Sequence, residues 1–178
     1  MAYKQSKGER EFGDIEFEDD GDTKIDFEQD YISMQTGGNS VLVVSGSQVG
    51  VGTASPSTTL SIAGSVSANV TAINASSNNS STYTVAATDY AIVCNTRPSA
   101  QNGIDSALTI TLPAASDYPG RILIIKDAGG YSGTNAITLQ RAGSDTINGN
   151  ATTLTLPDDA GGAAKQLLSA GGGQWFEI

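Results

Sequence analysis

Apolar and polar residues alternate in short runs along most of this chain, and no stretch holds the three-and-four spacing of a long helix. Ile15 and Phe17 flank Glu16, and Ile25 and Phe27 alternate with Lys24, Asp26 and Glu28. "SVLVVSGS" then supplies an apolar strand ended by Ser-Gly. These segments predict β-strands with one wet face, and "EDDGD" and "TGGN" between them predict turns. From residue 83 onward short strands recur: "TYTVAA", "YAIVCN", "ALTITL", "RILIIK", "AITLQR", "TLTLP", "KQLLSA" and "QWFEI". Leu108, Ile110 and Leu112 share one face of their strand and Thr109 and Thr111 the other. "RILIIK" is continuously apolar between charges, as in a strand buried on both faces. Turn sequences such as "DYPG", "DAGG" and "INGN" separate the strands, so this region is expected to be an antiparallel β-sandwich.

Residues 45–82 break the pattern. "VGVGTASPSTTLSIAGSVSA", from Val49 to Ala68, carries no charge and only a thin scatter of Val, Leu and Ile among Gly, Ser and Thr. Val66, Val70 and Ile73 have helical spacing, but Gly64 and the polar "NASSNNSST" hold that to a couple of turns. The expected organisation is an N-terminal arm over 1–44, a Gly/Ser/Thr-rich neck and linker over 45–82, and an all-β head over 83–178, with the boundary near Ser81.

Composition adds a constraint. Val, Leu, Ile and Phe make up 37 of 178 residues, about a fifth, near the level where a charged chain stays unfolded. A chain this poor in core formers gains stability by burying a face against copies of itself, so an obligate oligomer is expected. The net charge is −10, and residues 1–31 hold eleven of the nineteen acids. That acidic run reads either as a solvated arm or as a docking arm for a basic partner surface. Nucleic-acid binding is not expected, because only five bases are scattered over the remaining residues. No secretion signal and no membrane-length apolar run is read in the sequence. The single cysteine, Cys94 in "YAIVCNT", reads as a small buried hydrophobe.

Candidate chemistry is sparse. The chain has no histidine, which removes the commonest general base and the commonest zinc ligand. "GVGTAS" begins like a dinucleotide loop, but Ser55 stands at the third glycine position and no helix follows. "GYSGT" lacks the last glycine of a nucleophile elbow, and nothing is present to activate Ser132. A calcium-loop alignment on Gly21 places Glu16, Glu18 and Asp20 at ligand positions, yet Phe27 falls where the bidentate Glu belongs. Asp89, Asp105, Asp117, Asp127, Asp145, Asp158 and Asp159 almost all sit in turns, where Asp caps backbone. No catalytic residue, metal ligand or cofactor is assigned. Tyr118 and Tyr131, also in turns, are candidate glycan contacts, and Trp175 reads as a core plug.

"SGSQVGVGTASPSTTLSIAGSVSA" resembles the "VGIGT-x-SP…L-x-V-x-G" element of tail fibres, tailspikes and other virion proteins of tailed bacteriophages. The lead-in "DTKIDFEQDYISMQTGGNSVLVVSGS" is similar to theirs, and "YTVAATDYAIVCNT", "ALTITLPAA", "GRILIIKDAGG", "ITLQRAGSDTING" and "GGGQWFEI" resemble a β-sandwich domain of phage fibre ends. The resemblance spans Asp22 to Ile178 and implies a homotrimer around a three-fold axis. It implies a virion protein assembled in the host cytoplasm: a capsid decoration or head fibre, or alternatively a short tail or baseplate fibre that binds a host-surface glycan. On this reading residues 1–31 bind capsid or tail proteins, with Phe12, Ile15, Phe17, Ile25 and Phe27 supplying the anchoring apolar faces. Val49, Val51, Leu60, Ile62 and Val66 then form apolar rungs of a trimeric neck, where glycine lets backbones approach closely.

Overall fold

A computed structural model describes residues 15–17, 19–159 and 162–178. The chain is all-β, and among the described residues the only helical pieces are 3-10 turns at Ser99–Gln101 and Ala115–Asp117. It forms two compact units, Met1–Ser67 and Ala68–Ile178. The division falls ahead of the expected boundary near Ser81, because the stretch read as neck and linker is shared between the units. Its first part completes the N-terminal sheet, and Val70–Ile73, expected to have helical spacing, is a strand of the C-terminal unit.

The N-terminal unit is one six-stranded sheet. Strands β1 (Ile15–Phe17), β2 (Asp20–Glu28), β3 (Tyr31–Thr36), β4 (Asn39–Ser45) and β5 (Gln48–Val51) run as an antiparallel meander, and β6 (Leu60–Ile62) adds parallel to β5. Two-residue turns join β2 to β3, β3 to β4 and β4 to β5; "TGGN" supplies the second, with Gly37 at φ 56° and Gly38 at φ 72°. Positive φ at both central residues is what a tight hairpin with right-handed twist demands.

The C-terminal unit is built from β7 (Val70–Ile73), β8 (Thr82–Thr84), β9 (Ala91–Cys94), β10 (Leu108–Thr111), β11 (Ile122–Asp127), β12 (Ile137–Gln140), β13 (Thr146–Ile147), β14 (Leu154–Thr155), β15 (Ala164–Gly171) and β16 (Gln174–Glu177). Successive strands go alternately to two sheets. The first sheet has the order β13-β16-β15-β11-β9-β7 and the second the order β14-β12-β10-β8. Within them β7, β9 and β11 are mutually parallel, as are β8, β10 and β12. The chain therefore winds through three circuits, each laying one strand on each sheet. Antiparallel β14 then adds to β12, and the β15–β16 hairpin adds to β11. This corrects the expected antiparallel sandwich. Alternation shows which face of a strand is buried, but it is the same for parallel and antiparallel neighbours.

Between the two sheets lies one core. Ile73, Ile92, Cys94, Leu123, Ile125, Leu167 and Trp175 enter it from the first sheet, and Leu108, Ile110, Ile137 and Leu139 from the second; all are fully or almost fully buried. Circuits stack like on like: Ile110 is in register with Leu139 and with Tyr83, and Ile92 with Ile125. Trp175 does plug the core, and its indole N–H donates to the Pro113 carbonyl at 3.2 Å. "INGN" forms the expected tight turn, with Asn148 and Gly149 at positive φ and Ile147 and Asn150 exchanging two backbone hydrogen bonds of 2.9 Å. Ile110→Ala, at the centre of the second sheet, should destabilise the protein by about 2–5 kcal/mol, the cost of a large-to-small change in a close-packed core. Denaturant unfolding followed by Trp175 emission measures it.

Candidate interaction surface

Strand register assigns every residue of the N-terminal sheet to a face. Ile15 pairs with Ile25, Ile25 with Met34, Met34 with Leu42, Leu42 with Val51 and Val51 with Ile62. Directly opposed residues point to the same side, so these six form one apolar row crossing all six strands. Two residues along, Phe27, Ile32, Val44, Val49 and Leu60 form a second row on the same side. The opposite face carries Lys24, Asp26, Ser33, Gln35, Gly50 and Ser61, with Val43 among them.

Burial runs against this chemistry. Ser33 and Val43, on the mainly polar side, are fully buried. Ile15, Ile32, Met34, Val44, Val51, Leu60 and Ile62, on the apolar side, are between 38% and 58% exposed. The loop 52–59 packs on the polar side at Gly50, where a Cβ would stand 2.5 Å from the Thr53 carbonyl oxygen and 3.6 Å from Pro56 Cβ. Among the described residues of this unit, Val43 is the only fully buried large apolar side chain. Among the described residues, the apolar face of the sheet has no core beneath it.

The residues singled out from the sequence are distributed as follows. Ile25 and Phe27, read as anchoring, share the apolar face with Ile15 and with the neck residues Val49, Val51, Leu60 and Ile62. Two sets given separate roles thus form one surface. Val66 does not join it; it lies beyond β6, outside the sheet and 72% exposed. Phe12 and the side chain of Phe17 lie outside the described residues. Ile32, Met34, Leu42 and Val44 complete the surface and were not singled out, although the alternation in "YISMQT" signals the first two.

The C-terminal unit turns its polar side chains to structural use. Asp127, fully buried in register with Cys94, accepts four backbone N–H bonds: from Gly129 and Gly130 on Oδ1 and from Tyr131 and Ser132 on Oδ2, at 2.9–3.0 Å. "DAGGYS" is therefore a loop wrapped around its own carboxylate. Ser132 Oγ is occupied as a donor to the Pro157 carbonyl at 2.8 Å. Asp145 accepts the Ala115 N–H at 2.8 Å. The Cys94 thiol is pushed up to about 12, first by burial and then by the negative charge of Asp127. It is a packing residue with no thiolate at neutral pH.

Asp89 makes the second network. Its carboxylate accepts from Thr71 Oγ1 at 2.5 Å, Tyr83 Oη at 2.7 Å and the Ala86 N–H at 2.7 Å. Arg121 Nη2 donates to the carbonyls of Ala86 and Asp89, at 2.6 and 2.7 Å, and its guanidinium lies 4.7 Å from the centre of the Tyr118 ring. Burial pushes the Asp89 carboxyl upward, but the three hydrogen bonds and the Arg121 charge outweigh it and hold the group below 3.8. Tyr118 and Tyr131, both half-buried, lie beyond opposite ends of β11 and are not brought together. Among the described residues no group of three or more His, Cys, Asp or Glu is placed to hold a metal ion, and no helix is long and apolar enough to cross a membrane.

Comparison with protein-family models, with curated proteins and with solved structures finds no match to the chain.

Two predictions follow from the carboxylates. Asp127→Ala removes the acceptor of four N–H groups in a buried loop and should cost about 3 kcal/mol or more in denaturant unfolding. For Asp89 the folded-state value is depressed, so its stabilisation is complete above the ordinary carboxyl range and is lost as pH falls through the folded value, below 3.8. Asp89→Asn should be less stable at neutral pH and should show a shallower fall in stability below pH 3.8 than the parent.

Proposed function

We propose that this chain is a non-enzymatic structural protein of a tailed-bacteriophage virion: a homotrimeric capsid decoration or head-fibre protein, anchored through its N-terminal residues and displaying its C-terminal β domain. The observation that carries the reading is the pairing of a coreless apolar sheet with a self-sufficient β domain. The first presents a broad apolar face of the kind that marks an interaction surface, and the second encloses its own core. The motifs that resemble those of phage fibres lie on both units, and the "VGVGT" element spans β5 and the loop that leads to β6. In the β domain the buried carboxylates Asp89 and Asp127 and the Ser132 hydroxyl are engaged with backbone and neighbouring side chains, which suits a scaffold.

The alternative, a short tail or baseplate fibre binding a glycan, gains no support from the tyrosines. One ring faces Arg121, and the two stand beyond opposite ends of one strand. Antibody–gold labelling of purified phage particles tests the reading. Labelling spread over the head shell is the expected result; labelling confined to the tail would select the alternative, and unlabelled particles would overturn both.

A further inference from the structure

We propose that the apolar face of the N-terminal sheet is the surface through which copies of this chain bind one another. Ile15, Ile25 and Phe27 then serve self-assembly together with Val49, Val51, Leu60 and Ile62, and do not dock on a virion shell. This rests on the reading of the chain as an oligomeric structural protein and names the occupant of one face.

Three observations select a second copy. The first is extent. Ile15, Phe27, Ile32, Met34, Val44, Val51, Leu60 and Ile62, drawn from all six strands, are each 38–58% exposed, a continuous apolar patch of the kind that marks an interaction surface. The second is chemistry. The rows contain only Ile, Leu, Val, Met and Phe, while Lys24, Asp26, Gln35 and Ser61 are all on the opposite side. Interfaces between permanently associated chains are of this kind, resembling a domain core cut in two, whereas separately folded partners meet through a more polar mix. The third is need. The sheet spans six strands with only Val43 fully buried among its described large apolar residues, so it stands to gain stability from a partner that covers the exposed face. Another copy of the same chain carries the same apolar face, and two such faces can pack sheet on sheet.

The test uses the full chain. Light scattering should give the parent protein a mass that is a whole multiple of 18.2 kDa. Ile32→Glu combined with Val44→Glu places two carboxylates opposite each other in the centre of the face. This variant should fall to the mass of one chain while Trp175 keeps its buried emission. A parent protein of single-chain mass would overturn the proposal, whether residues 1–14 or an unrelated protein covers the face. So would a folded double variant of unchanged mass. Should the double variant not fold, Val44→Cys serves instead, because Cys94 is buried and unreactive. A short bismaleimide should join chains of the folded variant covalently, and a complete absence of joined chains would overturn the proposal. A multimer that never labels particles would defeat the virion reading alone; a single-chain protein that labels them would defeat the interface alone.

Discussion

Every strand with an apolar side must cover that side, and the two halves of this chain answer the same demand differently. Apolar surface removed from water stabilises by about 25 cal/mol per Å², so an uncovered row of Ile, Met and Leu is a large standing deficit. The C-terminal unit closes the deficit internally by dealing its strands to two sheets that face each other. The N-terminal unit has a single sheet. Its loop 52–59 lies on the polar side, held by close packing at Gly50, and leaves the apolar side outward. Among the described residues, the shortage of core formers is thus felt in one half only.

Winding brings its own difficulty, which the polar networks address. Parallel neighbours need a long connection, supplied in most folds by a helix. Here the connection is a strand in the opposite sheet, and the chain must turn sharply at both ends of every circuit. Asp127 ends β11 and gathers the next four available N–H groups, so the turn out of that strand is fixed by one buried carboxylate. Asp89, before β9, accepts one backbone N–H and the hydroxyls of Thr71 and Tyr83, and Arg121, just ahead of β11, reaches back to the carbonyls of Ala86 and Asp89. A buried carboxylate is costly unless its acceptors are filled. Both are filled, so these two residues act as corner pieces.

Local structure is legible in the sequence, and long-range pairing is not. Turns defined by their own residues, "TGGN" and "INGN", form where expected because positive φ is a property of those residues. Trp175 and Cys94 are buried as expected, since large or soft apolar side chains inside strands have little alternative. Pairing direction was missed, because Ile92 seeks Ile125 across an entire circuit and nothing near either residue records that choice. Val70 and Ile73 were misjudged for a related reason: in so polar a segment only the first circuit of the winding makes them a strand. The unity of the apolar face was hidden because its members come from six strands, and it appears only once register aligns them.

The "VGVGTASPSTTLSI" element shows how tightly that register is set. Its connection between parallel β5 and β6 is much shorter than parallel strands ordinarily require, and the two glycines make it feasible. Gly50 admits the Thr53 carbonyl, and Gly52, at φ 69°, brings its backbone to where a Cβ would stand 2.9 Å from the Ala63 carbonyl oxygen. Parity then does the rest. With Val49 opposite Leu60 and Val51 opposite Ile62, Ser61 must turn to the other side. There its Oγ accepts the N–H groups of Ser57 and Thr58 at 2.9 and 3.1 Å and fastens the loop. A shift of one residue would exchange the roles, burying Ser61 among aliphatics and presenting Leu60 and Ile62 to the loop. The hydrogen bonds that hold the loop and the apolar rows that face outward are therefore two consequences of one register. The element extends the apolar face by one strand while stitching itself down on the other side.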